Sequence, residues 1–365
     1  MPGVYISYPF CAQKCTYCNF ASGVFPRELE PRYINALVRE ISTHAWDWMP
    51  ETVYLGGGTP SGMGTEEMDR ILAAVPGRGN WQEATIEAAP GGITSNLASA
   101  WVRAGINRVS LGVQSFVQRE LARTGRKHTA EIVEREIATL RGAGLANINI
   151  DLIAGLPGQS RTSWAESLEW IARLAAPHVS AYMLEIDDDS RLGHEVLLNG
   201  ERYGAPDVPN EDLTAEFYES AVAALARIGI ERYEISNFAG PGFESLHNLK
   251  YWRLEPYTGF GADAHSFDGA VRRQNIESPR EYVERIESGQ PAGIDTTAAN
   301  LSEESFFVGL RLSAGIEPRA DEWRKFEQPI SRFIAQGLLE RNGRRLRLTD
   351  RGVLLSNEVF AEFIT

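Results

Sequence analysis

Short β-branched or apolar runs alternate with amphipathic stretches through the first half of the chain, and no other feature restricts the fold as much. The candidate strands cover 4–8, 52–55, 85–88, 107–113, 147–153 and 179–184, and the first five lead into predicted helices over 31–44, 65–74, 94–103, 130–141 and 162–174. Pro31 suits the first turn of its helix, and Thr65, with Glu67 and Asp69 close behind, reads as a helix-starting cap. Six βα-type units in succession imply an α/β fold with a parallel sheet and right-handed crossovers. Along the fifth strand polar and apolar residues alternate over 148–153, which in a barrel sends one set of side chains inward and the other towards the helices. Periodicity by itself leaves three architectures open: a closed barrel, a partial barrel and an open doubly wound sheet.

A chain of 365 residues, 43% of them hydrophobic, suffices for one large domain and a smaller one. The net charge of −13 disfavours non-specific binding to nucleic acid or anionic lipid. The first residues lack a charged start followed by an apolar stretch, and no window approaches the roughly 20 apolar residues that span a bilayer. A cytoplasmic location is therefore expected; peripheral membrane contact stays open. Beyond about residue 190 the pattern changes. Asp187 to Asp189 and the stretch 200–210 read as exposed connections, 212–227 as a long helix, and 233–238 and 247–252 as further structured pieces. A helical segment follows over 301–310. The tail reads helix (330–336), strand, an Asn342-Gly343 turn, strand, helix, which resembles a winged-helix module. The expected organisation is a core domain over 1–240, a connecting region over 241–300 and a smaller C-terminal α+β domain over 301–365.

The polar motifs fall after, or within, successive strands. A GGGTP run at 56–60 follows the second, Glu87 ends the third, Gln114 ends the fourth and Asp151 lies in the fifth. In parallel α/β architectures the ligand site forms at the carboxyl ends of strands, so these residues converge on one mouth. The strongest chemical signal is Cys11, Cys15 and Cys18, a C-x3-C-x2-C spacing directly after the first strand and the only cysteines in the chain. A cubane iron–sulfur cluster has four irons; three thiolates leave one without a protein ligand, open to chelation by the amino and carboxylate groups of an amino acid. A zinc ion completed by a histidine, and three buried thiols without function, are the competing readings; no histidine lies nearby in sequence.

These residues carry a family resemblance. YISYPF before Cys11, CTYCNF at 15–20, GGGTPS at 56–61, GINRVSLGVQS at 105–115, DLIAGLPGQ at 151–159 and HNLKYW at 247–252 together resemble the radical SAM family related to oxygen-independent coproporphyrinogen oxidase. Within it they look like the HemW branch, whose members are heme chaperones. The resemblance implies a partial (β/α)6 TIM-type barrel, a [4Fe–4S] cluster on Cys11, Cys15 and Cys18, and S-adenosylmethionine (SAM) at its open iron. It also implies that Tyr17 packs over the adenine, that Tyr5 lies beside the cofactor, and that Gly57, Gly58 and Thr59 meet the methionine amino group. Glu87 and Asp151 become acceptors for ribose hydroxyls or the amino group, and Gln114 and Arg126 donors to ribose and carboxylate. For each carboxylate the bland reading is a helix cap, and for Arg126 a solvated charge.

One departure bears on the branch. The oxidases carry a further cysteine two residues after the third, and this chain has Phe20 there. With the HNLKYW motif, associated with heme handling in the chaperone branch, this makes heme an expected ligand, His247 a candidate axial ligand and His265 a second choice. The implied partners are acceptor hemoproteins, respiratory ones in particular, with cluster-linked homodimerisation and no nucleic acid. Two rival readings remain. One is a true oxidase that decarboxylates porphyrin propionates. The other is a nucleic-acid module around Arg341, Arg344, Arg345 and Arg347.

Overall fold

A computed structural model describes residues 2–364. Six strands, β1 (Gly3–Tyr8), β2 (Thr52–Gly57), β3 (Glu83–Ala88), β4 (Arg108–Gln114), β5 (Asn147–Ala154) and β6 (His178–Met183), pair in sequence order, all parallel. Between them run α1 (Leu29–Thr43), α2 (Thr65–Ala74), α3 (Ser95–Ala104), α4 (Gln118–Arg123), α5 (Ala130–Gly142) and α6 (Arg161–Leu174). The expected alternation is present throughout. Thr94 caps α3 by accepting from the Leu97 amide, but Thr65 caps nothing: it is already helical, Gly64 precedes it without a side-chain bond, and the acidic Glu66 and Glu67 lie in the first turn, where the helix dipole favours negative charge.

After β6 come α7 (Arg191–Leu197), α8 (Glu211–Ala226), β7 (Glu231–Arg232), β8 (Asn237–Ala239) and α9 (Leu246–Trp252). Residues 233–236 turn between two short antiparallel strands. Then follow β9 (Tyr257–Phe260), β10 (His265–Phe267), β11 (Val271–Asn275), α10 (Pro279–Glu287) and β12 (Gly293–Ala298). These strands were not anticipated. β9 pairs parallel with β1, and β10 to β12 continue antiparallel. Among the described residues one sheet therefore has the order β12-β11-β10-β9-β1-β2-β3-β4-β5-β6-β8-β7, a barrel wall left open rather than closed on itself.

The C-terminal part comprises α11 (Leu301–Phe307), α12 (Ala320–Lys325), α13 (Glu327–Ala335), the hairpin β13 (Leu339–Asn342) and β14 (Arg345–Leu348), and α14 (Asp350–Leu354) with α15 (Ser356–Ala361). α11 stops short of the helix expected over 301–310, and a 3-10 turn takes over at Gly309–Arg311. Two of the four hairpin arginines are ion-paired, Arg345 with Glu317 at 3.0 Å and Arg347 with Glu340, and Arg341 lies over the Trp323 ring at 4.3 Å. Among the described residues no helix is long and apolar enough to cross a membrane.

Strand side chains alternate between two faces. Val4, Ile6, Val53, Leu55, Ile86, Val109, Leu111, Ile148, Ile150 and Val179 are buried on one face against the helices, each contributing about 1.5–3 kcal/mol. The opposite face is polar along every strand: Tyr5 and Ser7, Thr52 and Tyr54, Glu83 and Glu87, Arg108 and Ser110, Asn149 and Asp151, His178 and Ser180. The amino-terminal part of this face is packed and buried (Thr52, Glu83, Arg108, His178 and Ser180), while towards the carboxyl ends Tyr5, Glu87, Asp151 and Tyr182 keep accessible surface and line a hollow.

Candidate functional site

The three cysteines lie in the segment that follows β1, at the carboxyl ends of the strands. The chain crosses back on itself there: the Cys11 amide donates to the Gly23 carbonyl (2.8 Å) and the Gly23 amide to that of Pro9 (2.9 Å). On the other side the Thr16 amide reaches the Thr124 carbonyl (3.4 Å), while the Leu192 amide donates to that of Thr16 (2.8 Å). The loop is thus held by β1, by the end of α4 and by the start of α7. All three thiols are half-buried. Burial pushes the Cys11 thiol up, hydrogen bonding from Thr59 and Ser22 opposes this, and Cys18 and Cys15 push it further up. The thiols therefore sense one another, yet among the described residues no three His, Cys, Asp or Glu side chains converge on a single ion.

Tyr17 and Arg126 meet beside Cys15. The Tyr17 hydroxyl, the Arg126 guanidinium and the Cys15 thiol face one another; the hydroxyl and the Arg126 Nε are buried without a well-formed hydrogen bond, and Arg126 donates from Nη1 to the Gly112 carbonyl at 2.6 Å. Burial raises the Tyr17 pKa while the Arg126 charge pulls it down. Arg126 is accordingly not a solvated charge. A buried donor without a well-aligned acceptor costs about 1–3 kcal/mol, which a ligand that supplies one would relieve.

The GGGTP turn packs against the β1 loop. Gly58 and Thr59 donate their amides to the Tyr8 and Phe10 carbonyls (2.8 and 2.9 Å), and Gly57 donates to Glu87 Oε2 at 3.1 Å. An ammonium group needs acceptors, and the turn can offer carbonyl oxygens and the Thr59 hydroxyl oxygen. The reason for glycine at 58 differs from the expected close approach of a ligand: a Cβ there would lie 2.7 Å from the Phe10 carbonyl oxygen and 2.8 Å from that of Tyr8. It is the chain's own loop that needs the room. Thr59 Oγ1 donates towards Cys11 Sγ at 3.6 Å.

Glu87 and Asp151 face the same hollow. Glu87 accepts from the Tyr54 hydroxyl (2.9 Å) and the Gly57 amide, and burial, helped by the Asp151 charge, lifts its pKa to about 7. Asp151 is also raised by burial, but Ser180, Asn149, Ser110 and the Arg108 charge counter this; Asn149 Nδ2 lies at 2.7 Å and Ser110 Oγ at 3.2 Å. Neither carboxylate caps a helix. Gln114 takes φ of 70°, rare for a residue with a side chain, next to a β-bulge in the β4–β5 pairing. Tyr5 stacks on Tyr54 at 6.1 Å, and Tyr182 keeps 41% of its surface accessible inside the wall, which marks the hollow as open.

His247 lies elsewhere. It packs at the amino-terminal ends of β2 and β3, 1% exposed, with Nδ1 2.8 Å from Thr52 Oγ1 and Nε2 2.8 Å from Tyr251 Oη. A neutral imidazole has one donor and one acceptor, and both are engaged. Ligation of heme iron by His247 is not what this geometry offers. His265 is exposed on β10. Sequence reasoning missed Tyr54, Ser110, Asn149, Ser180 and Tyr182; the signal was the period-2 polar face, noted for one strand and present in all.

Comparison with known proteins agrees with the geometry. Residues 5–171 match the family model of the radical SAM superfamily and residues 297–355 that of the HemN C-terminal domain. A Lactococcus lactis protein named heme chaperone HemW is 34% identical, covering 99% of this chain and 96% of that protein. The proteins of that name from Bacillus subtilis and Escherichia coli are 34% and 30% identical, at 100% and 99% of this chain and 99% and 97% of theirs. Among solved structures, the radical SAM enzyme coproporphyrinogen III oxidase (HemN) of Escherichia coli superposes with a TM-score of 0.85 at 20% identity, over 100% of this chain and 90% of that one. At that identity the likeness speaks to the fold.

Proposed function

This chain belongs to the HemW heme-chaperone family of the radical SAM superfamily, and from that membership we propose that it binds heme and hands it to acceptor hemoproteins, with a SAM-bound [4Fe–4S] cluster governing the transfer. The observation that carries the site assignment is one mouth shared by three thiols, a buried phenol–guanidinium pair beside Cys15 and two carboxylates of unlike poise. Cys11, Cys15 and Cys18 hold the cluster. Tyr17 packs over the adenine, and Arg126 directs its spare donors at SAM oxygens. Gly57, Gly58 and Thr59 offer carbonyls to the methionine ammonium, with Glu87 beside them; Tyr5, Gln114 and Asp151 line the ribose side. When bound, the cluster supplies an open iron for an amino acid and an electron for reductive cleavage of a sulfonium.

The chaperone reading is favoured over porphyrin decarboxylation by position 20, where the oxidase branch carries cysteine and this chain has Phe20. Phe20 and Val24 expose 69% and 65% of their surfaces on the cysteine-loop rim, suited to an apolar macrocycle. Respiratory hemoproteins as acceptors, the cytoplasm as compartment, homodimerisation through the cluster and contact with a membrane surface belong to the same proposal. The test is anaerobic. Reconstituted protein is given SAM and reductant with either heme or coproporphyrinogen. Stoichiometric heme binding without decarboxylation is expected; formation of protoporphyrinogen overturns the reading.

A further inference from the structure

α9, which carries the HNLKYW motif, closes the amino-terminal end of the barrel, opposite the thiols. Its first amides land on a buried carboxylate: Glu83 accepts from Ser245 Oγ (3.1 Å), the Leu246 amide (2.9 Å) and the His247 amide (3.0 Å). Lys250 is tied to Glu51 at 2.5 Å and to Glu255 at 3.1 Å. Gly3 is a glycine for the same reason, since a Cβ there would meet Thr52 Oγ1 at 2.8 Å, Lys250 Cδ at 3.1 Å and His247 Nδ1 at 3.2 Å.

From this plug a short line of contacts leads to the mouth. The His247 ring, held edge-on by Tyr251 at 5.1 Å, stacks beneath Tyr54 with centroids 5.2 Å apart and planes 28° from parallel. The Tyr54 hydroxyl donates to Glu87 Oε1, and Glu87 Oε2 accepts from Gly57 at the turn beside the cysteine loop. We propose that His247 is a positioning residue for the SAM site: by filling the floor of the barrel it fixes the Tyr54 ring, and through it the Glu87 carboxylate and the Gly57 amide. The inference rests on the mouth being the SAM site. A phenol ring has two torsions, and its hydroxyl stays on one oxygen only while the ring has a floor and walls. An imidazole with both nitrogens satisfied is a rigid floor. Taking one nitrogen away for iron leaves a hydroxyl of Thr52 or Tyr251 unpaired inside the protein.

The test uses the full chain with its cluster reconstituted anaerobically. SAM affinity is read by titration calorimetry and heme affinity by the Soret band, for His247→Ala, Tyr54→Phe and the double variant. His247→Ala is expected to keep the cluster chromophore and the heme titration while weakening SAM about tenfold, the scale of losses from residues that orient direct ligands. Tyr54→Phe weakens SAM on its own, and adding His247→Ala to it costs little more, because both act through the same carboxylate. If His247→Ala fails to fold, Thr52→Val, which removes only the partner of Nδ1, takes its place, with a weakening of about threefold expected. Heme affinity lost with SAM affinity intact overturns the inference, and so do losses in SAM affinity that simply multiply in the double variant. Failure of the unaltered protein to bind SAM overturns the site assignment instead.

Discussion

Glu87 makes the mouth sensitive to pH in a direction that can be worked out. Two carboxyl groups, Glu87 and Asp151, face one hollow that burial makes unfavourable for both charges. Asp151 has three side-chain donors and the Arg108 charge in its favour, so it holds the negative charge and Glu87 becomes the group that titrates, at about 7. SAM brings a sulfonium and an ammonium, and a cation binds the ionised carboxylate. With a pKa of about 7, Glu87 is about one-tenth ionised at pH 6 and about nine-tenths at pH 8. SAM affinity should therefore rise about tenfold between those values, or ~1.4 kcal/mol, with proton release on binding at pH 6. Calorimetry of the cluster-loaded protein in two buffers of different ionisation enthalpy measures both. The α-amino group of SAM also titrates in this region, so Glu87→Gln is the control, and the difference in slope between it and the unaltered protein belongs to Glu87. Equal slopes would refute the reasoning.

Replacing any of Cys11, Cys15 or Cys18 by Ala should abolish the brown chromophore and the bound iron and sulfide while leaving far-UV circular dichroism unchanged, since no thiol is a fully buried packing element; iron analysis decides it. Gly58→Ala forces a methyl against two backbone carbonyls, so a loss of about 1–3 kcal/mol in denaturant midpoints and reduced cluster occupancy are expected together. Arg126→Lys retains charge but loses both the Nη1 donor to Gly112 and the Nε–H beside Tyr17. SAM binding should weaken about tenfold or more with cluster content unchanged, and unaltered affinity would remove Arg126 from the site.

What the sequence conveys about this molecule follows from the range over which each signal acts. The βα alternation is local, and β1 to β6 with their helices are legible because each buries one apolar face that repeats every second or every third to fourth residue. β11 and β12, reading VRRQN and GIDTTA, have no buried apolar face to repeat and were invisible until their pairing with β10 and with each other was seen. The cysteine spacing is local too, and needs no fold to be read. The convergence of Glu87, Gln114 and Asp151 required only the rule that strand ends share a mouth, whereas Arg126, on a loop, was expected there from the family resemblance. His247 is the opposite case. Its sequence neighbourhood suggests a ligand to iron, whereas its role is set by Thr52 and Glu83, 195 and 164 residues away, which turn a helix of polar and aromatic residues into a barrel floor. A motif is a statement about residue types; only partners that are distant in sequence decide whether an imidazole is open. Here both of its nitrogens and one of its ring faces are occupied before any ligand arrives, and the chemistry left for the motif is to hold the opposite end of the barrel in place.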